Sequence, residues 1–457
     1  MDVLDRFSPA TRAWFRGSFA APTAAQTGAW ESISAGRHTL VVAPTGSGKT
    51  LSAFLWAIDR LLSPAAGGAA VTPVPTAAEG KPRPGCRVVY VSPLKALATD
   101  VERNLRSPLV GIGHAAARLG LAAPQVRVAV RSGDTPADER RRFGRDPADI
   151  LITTPESLFL LLTSQAREAL AGVETVILDE VHAVAATKRG AHLALSLERL
   201  DELLARPAQR IGLSATVRPV EDVGRFLAGG RPVEIVQPPS EKRWDLTVVV
   251  PVPDMTDLAA ARAQPPAAAP PRWDGTGDPL ASLAPPVPVV PSIWPHVEER
   301  IVDLVADHHS TLVFANSRRL AERLTGRLNE IWAERQPSDD PETGDEVRAP
   351  VRPPAAIMAQ SGSSAGAPPL LARAHHGSVS KEQRALIEDD LKAGRLPAVV
   401  ATSSLELGID MGLVDLVVQV EAPPSVASGL QRVGRAGHQV GAVSRGCLLY
   451  TSDAADE

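Results

Sequence analysis

Leu40-Val41-Val42-Ala43-Pro44-Thr45-Gly46-Ser47-Gly48-Lys49-Thr50 is a short apolar run that breaks into a glycine-rich turn. Leu51, Phe54, Leu55, Ile58 and Leu61 recur at helical spacing directly after it, so the local order is strand, loop, helix. In that setting Gly46 and Gly48 let the backbone curl until the N–H groups of Thr45, Gly46, Ser47 and Gly48 converge on an anion, and the dipole of the following helix adds to the attraction. Lys49 is spaced to reach the β- and γ-phosphates of a nucleoside triphosphate and Thr50 to reach Mg²⁺. The first position is Ala43 where the usual string has Gly. A glycine-rich turn before a helix is common; this string after a strand favours the phosphate reading.

Working outward, Val88–Val91, Ile150–Thr153, Val176–Leu178 and Ile211–Leu213 are further apolar runs separated by helical patterns. Near-continuous apolar runs of this length are expected of parallel strands covered on both faces. Val176-Ile177-Leu178 ends in Asp179-Glu180-Val181-His182, which brings two carboxylates to the carboxyl edge of the sheet, where such folds bind ligands. Asp179 suits Mg²⁺ coordination, and Glu180 suits orientation and deprotonation of an attacking water, with a share in the metal site. His182 either couples this site to Ser214-Ala215-Thr216 or is an ordinary polar residue on a turn.

The first domain is expected over 1–240. A Pro/Ala-rich linker or insert follows over 241–295, and a second parallel-sheet domain over 296–457 with an insert at 336–369. In that second half Thr311–Phe314, Ala398–Ala401, Leu416–Val420 and Cys447–Tyr450 read as strands, with helices around Val297–Val305, Leu320–Leu328 and Lys381–Leu391. Gln431-Arg432-Val433-Gly434-Arg435 lies near its end. Phosphoryl transfer builds charge on the equatorial oxygens, and an arginine from a second domain can neutralise it, which ties hydrolysis to domain closure.

At 457 residues the chain is long enough for two cores. A net charge of −4 argues against a protein that coats nucleic acid with a basic surface, while leaving room for a local basic groove. Cys86 and Cys447 border apolar stretches and read as buried thiols in strands, neither a disulfide nor a structural metal site. No secretory signal and no membrane span is visible, so the expected location is cytoplasmic.

Together the motifs resemble the superfamily 2 DExH-box helicases, most closely the large helicase-related (Lhr) family. The likeness rests on 43–50, Ser92–Leu97, Thr154–Leu158, Asp179–His182, Ser214–Thr216, Val313–Arg318, His375–Ser378, Ala401–Asp410 and Gln431–His438. It implies an α/β fold of two tandem RecA-like domains, each a mostly parallel sheet flanked by helices. It implies ATP and Mg²⁺ as cofactors, 3′-to-5′ movement on single-stranded DNA, opening of DNA or RNA:DNA duplexes, and a link to DNA repair. By the same resemblance Thr23 and Gln26 form an adenine-reading element, with Phe7 or Phe15 stacking on the base. Gly408 and Asp410 contact the nucleotide from the second domain, and Arg435 is the leading arginine finger beside Gln431 and Arg432. His438 stands where related helicases have a second Arg, which leaves the division of labour between Arg432 and Arg435 open.

Lys95, Arg131, Thr154 and Arg318 lie at or near strand ends, where the family's motifs face a nucleic-acid backbone; Ser317, Thr402 and Ser403 add hydroxyl donors. Such phosphate contacts hold a strand without reading its sequence. Thr154 before Pro155 fits a helix N-cap equally well. Trp14 and Trp30 read as packing residues. Proteins of the family continue into a winged-helix domain and further modules, so the expected alternative is a truncated nucleic-acid- or partner-binding module without productive hydrolysis or unwinding.

Overall fold

The computed structural model describes residues 2–44, 46–62, 85–121, 125–215, 217–239, 243–252, 292–336, 370–406, 414–437 and 442–451. The chain divides into two compact units, the first running to Arg243 and the second beginning at Trp244.

In the first unit the strands are β1 (His38–Val42), β2 (Val88–Val91), β3 (Val128–Arg131), β4 (Ile150–Thr153), β5 (Thr175–Leu178), β6 (Gln209–Ser214) and β7 (Val233–Val236). They pair only in parallel, in the order β3-β4-β2-β5-β6-β1-β7. Alternate side chains leave opposite faces, as the period of a strand requires. Val41, Ile177 and Ile211 belong to one core, together with apolar residues of α1 (Pro9–Ser18), α2 (Ala24–Ser34), α3 (Lys49–Leu62) and α4 (Lys95–Arg118). Leu40, Val42, Val176 and Leu178 belong to the core on the other face. That face is covered by α5 (Ala137–Arg145), α6 (Pro155–Leu162), the short α7 (His182–Ala185), α8 (Lys188–Leu203) and α9 (Val220–Ala228).

The second unit is also a parallel sheet. Its strands β8 (Trp244–Val249), β9 (Thr311–Phe314), β10 (Ala372–His375), β11 (Ala398–Ala401), β12 (Leu416–Val420) and β13 (Ser444–Leu449) are ordered β10-β11-β9-β12-β13-β8. Helices α10 (Trp294–Ala306) and α11 (Arg318–Arg335) supply much of its core, and α12 (Lys381–Lys392) and α13 (Val426–Val433) complete the described helices. Both units therefore have the expected RecA-like α/β layering.

One boundary needs correction. Trp244–Val249, expected within the linker 241–295, is strand β8, paired along its whole length with β13. The expected insert at 336–369, apart from its first residue, and the linker's 253–291 lie outside the described residues. Cys447 lies in β13 as expected, whereas Cys86 precedes β2 by two residues; both are buried free thiols, and burial pushes Cys86 up to about 12.

Close packing of α13 on the second sheet depends on a missing side chain. A Cβ added at Gly446 of β13 would lie 2.7 Å from both Cγ atoms of Val433 and 3.1 Å from Leu246 Cδ2. Gly446→Ala is therefore expected to destabilise the second unit by about 1–3 kcal/mol, the usual cost of overpacking. A urea unfolding midpoint equal to that of the unsubstituted chain would contradict this.

Candidate nucleotide site

Parallel register lines up the ends of the central strands. Val42 pairs with Ser214, Leu178 with Gly212 and Val91 with Leu178. The loop after β1, the acidic pair after β5 and Ser214-Ala215 at the end of β6 thus share one carboxyl edge, with β6 between the other two strands.

The loop is held by its own lysine and by α2. Lys49 is buried, and its Nζ donates to the carbonyls of Ala43 and Pro44, the latter at 3.2 Å. Gly46 and Gly48 have φ of +82° and +79°, values that favour glycine. Thr23 caps α2 and forms a capping box with Gln26: Gln26 N–H donates to Thr23 Oγ1 at 3.2 Å, and Thr23 N–H donates to Gln26 Oε1 at 3.0 Å. The Thr23 hydroxyl also donates to Ser47 O at 2.9 Å, and Gln26 Nε2 reaches Gly48 O at 3.5 Å. A Cβ on Gly48 would lie 2.5 Å from Gln26 Nε2. The two residues expected to read a base are thus built onto the phosphate loop itself.

The acidic pair is more constrained than its sequence reveals. Asp179 and Glu180 are 7% and 6% exposed. Asp179 Oδ1 accepts from Glu180 N–H at 2.9 Å and its Oδ2 accepts from the Tyr90 hydroxyl. Burial, and secondarily the charge of Glu180, push Asp179 up to about 6, while Tyr90 and Lys49 act in the opposite direction. Glu180 has a left-handed φ of +44°, a conformation costing a non-glycine residue about 1–2 kcal/mol. Its Oε2 is buried without a hydrogen-bond partner, 3.6 Å from His182 Nδ1.

His182 touches the Ser214-Ala215 segment, the contact that the first of its two expected alternatives requires. Ala215 N–H donates to its Nδ1 at 3.3 Å, and Ser214 Oγ lies 3.1 Å from the same nitrogen. An accepting Nδ1 places the ring proton on Nε2.

Residues expected at the site divide into several groups. Thr23, Gln26, Gly46, Ser47, Gly48, Lys49, Thr50, Asp179 and Glu180 belong to the first unit's carboxyl edge. Gln431 and Arg432 lie on α13 and Arg435 just after it, all three buried in the second unit. Thr45, Thr216, Gly408, Asp410 and His438 lie outside the described residues. Phe7 and Phe15 are a correction: both are buried, with rings edge-on to Trp30 at 5.0 and 5.4 Å between centroids, so they pack the core and present no face to a base. Trp30 and Trp14 pack as expected, and Trp30 Nε1 donates to Ser52 O at 2.9 Å.

Of the residues expected along a nucleic-acid strand, Arg131 ends β3 and Lys95 begins α4. Thr154 caps α6 and Ser317 caps α11, while Arg318 Nη1 donates to Ser378 Oγ at 2.8 Å. Sequence reasoning missed Tyr90, whose hydroxyl finds Asp179 across the sheet, and Arg189. The latter pairs with Glu156 (Nη2 to Oε2, 2.9 Å) and donates to Pro93 O, tying two of the motif segments together. Neither had a local signal, because each partner lies tens of residues away.

The donor set of Thr50, Asp179 and Glu180 is all oxygen, and one buried carboxylate oxygen lacks a partner. Hard oxygen donors suit Mg²⁺. Among the described residues no cluster of three or more His, Cys, Asp or Glu is arranged to hold a metal alone, so the fit is to a cation that draws its remaining ligands from phosphates and water.

Comparison with known proteins agrees with this geometry. The DEAD/DEAH box helicase family matches residues 23–223, and the helicase conserved C-terminal domain matches 365–439. An Lhr helicase of Mycolicibacterium smegmatis is 63% identical over 98% of this chain, and the Lhr helicase/uracil glycosylase of Escherichia coli is 53% identical over 97%. The chain belongs to the Lhr family of superfamily 2 DExH-box helicases. It spans 27% of the length of each of those two relatives. A solved structure of Mycobacterium smegmatis helicase Lhr bound to ssDNA and AMP-PNP superposes with a TM-score of 0.76 at 60% identity, covering 99% of this chain and 48% of that one.

The raised Asp179 predicts a pH signature. A carboxyl whose folded pKa exceeds its unfolded value favours the fold when protonated, so its contribution is complete below pH ~4 and lost as pH rises through about 6. In Mg²⁺-free buffer Asp179→Asn should flatten the fall in melting temperature between pH 4 and 7 and raise it at pH 7.5. Parallel melting curves for the two proteins across that range would count against the buried-charge account.

Proposed function

We propose that this chain is the ATP-driven core of a DNA helicase. It binds ATP with Mg²⁺, hydrolyses the γ-phosphate in response to single-stranded DNA, and uses the cycle to advance along the strand. The observation that carries this reading is the meeting, on one sheet edge, of the phosphate loop, Lys49 and a buried Asp179–Glu180 pair with one unpartnered carboxylate oxygen. It is supported by the solved relative, similar over nearly the whole chain, that holds ssDNA and AMP-PNP.

The roles follow from the chemistry. Backbone N–H groups of residues 45–48 receive the phosphates, and Lys49 exchanges its carbonyl partners for the β- and γ-oxygens. Thr50, Asp179 and Glu180 are the oxygen donors that would hold Mg²⁺, which when bound neutralises charge between the β- and γ-phosphates. Glu180 also orients the attacking water and accepts its proton. Thr23 and Gln26 report an occupied base pocket straight to the loop through Ser47 and Gly48. His182 relays the state of the site to Ser214-Ala215. By family likeness, Gln431 and Arg435 address the charge that develops on the transferring phosphoryl group, and Gly408 and Asp410 contact the nucleotide.

The track is bound through its phosphates by residues such as Arg131 and Arg318, so little base preference is expected. Movement from 3′ to 5′, opening of RNA:DNA hybrids, a place in DNA repair and cooperation with further C-terminal modules belong to the same proposal by family likeness. So does a cytoplasmic setting; among the described residues no helix is long and apolar enough to cross a membrane.

Phosphate release should rise on adding single-stranded DNA. Glu180→Gln should lower kcat by about 10²-fold or more while leaving ATP binding intact, and Lys49→Ala should lose both. Equal turnover with and without nucleic acid would overturn the motor reading. Nucleotide binding without any phosphate release would point to a binding module instead.

A further inference from the structure

Glu406 follows the 3₁₀ turn Ser403–Leu405, and its carboxylate holds α13 at two points. Oε1 accepts from Ser428 Oγ at 2.7 Å, and Oε2 accepts from Arg432 Nε and Nη2, each at 2.9 Å. The remaining nitrogen of Arg432, Nη1, donates to Gln419 Oε1 at 2.9 Å and to Asn316 Oδ1 at 3.2 Å. Its guanidinium carbon lies 5.2 Å from the Phe314 ring centroid. The acceptors are themselves braced. Gln419 Nε2 donates to the carbonyls of Val420 and Glu421 at 2.9 and 3.0 Å, and Asn316 Nδ2 donates to Ala422 O at 2.8 Å. One guanidinium, 2% exposed, therefore joins the ends of β9 and β12, the turn after β11, and α13.

All three nitrogens of Arg432 are committed to side chains of its own unit. For Arg432 to neutralise a phosphate it would have to leave Glu406, Gln419 and Asn316, abandoning a carboxylate side chain only 13% exposed that would keep the Ser428 hydroxyl alone. Such a step is unfavourable because a mostly desolvated charge that loses its partner is only partly compensated by solvent. Gln431 and Arg435 flank Arg432 on the same short helix and its exit turn, so whatever fixes Arg432 fixes their origin and direction as well.

We infer that Glu406 is a positioning residue. Its pair with Arg432 locks α13 so that Arg435 is presented in one orientation, and Arg432, grouped with the catalytic residues by its sequence, is the anchor and touches no nucleotide. The inference rests on the proposed ATPase and divides the labour between the two arginines.

The test is a set of double variants in the full chain, read as DNA-stimulated kcat, as ATP KM and as melting temperature. Glu406→Gln and Arg432→Lys should each lower kcat by about tenfold, the worth of one misplaced charge-assisted hydrogen bond, with little change in KM. Their combination should lose no more than Arg432→Lys alone, because the contact with Glu406 is among those that Arg432→Lys already disrupts. Arg435→Lys should lose more, and adding Glu406→Gln to it should cost nothing further, since a lysine lacks the planar fork whose orientation the pair sets. Unchanged kcat for Glu406→Gln would overturn the inference, as would multiplying losses for Glu406→Gln with Arg435→Lys, which is what a general loss of stability gives. If the unsubstituted chain releases no phosphate in response to DNA, the functional reading fails first, and that result is distinct from either of these.

Discussion

Parallel pairing of β5 with β6 and of β6 with β1 is the constraint on which the first unit's chemistry depends. It sets the strand ends level, so the loop that turns away after Val42 and the acid that follows Leu178 emerge on one edge with Ser214 between them. Covering both faces with helices then removes water from that edge. The consequence is a carboxyl at Asp179 held far above its ordinary range, a Glu180 oxygen without a partner, and a lysine that rests on backbone carbonyls. The desolvated acids are a cost in the isolated fold, and under the proposed function a nucleotide with its cation would relieve it. Affinity and destabilisation therefore have the same origin.

The two units solve related problems differently. In the first, two carboxylates share a buried edge where one Glu180 oxygen lacks a hydrogen-bond partner, and the backbone is held in left-handed conformations at Gly46, Gly48 and Glu180. In the second, Arg432 of α13 is saturated by Glu406, Gln419 and Asn316. A site that must bind and release a ligand keeps unsatisfied groups, whereas a helix that must present its neighbours reproducibly is fixed by satisfied ones. Gly446 serves the same end by letting Val433 approach the sheet.

Strand recognition followed coverage. The runs at 88–91, 150–153, 311–314, 398–401 and 416–420 coincide with interior strands, because burial on both faces demands an unbroken apolar run. The strands without such a run, β3, β7, β8 and β10, are the four sheet edges. With a neighbour on one side only, they mix polar and apolar residues, as in Ala372-Arg373-Ala374-His375, and so look like loop. For the same reason β8 lies inside the stretch that reads as linker from 241.

By itself the sequence determined the α/β class, the phosphate loop, the acidic pair and the family, since each rests on residue types at fixed short spacings. Only the tertiary structure decided what surrounds them. Tyr90 meets Asp179 through strand register, Gln26 meets Gly48 through helix packing, Phe7 and Phe15 enter the core, and Arg432 is enclosed by three distant side chains. The physical reason is range. Motif chemistry is local along the chain, but desolvation and hydrogen-bond saturation depend on which distant segments close over a group, and spacing does not encode that.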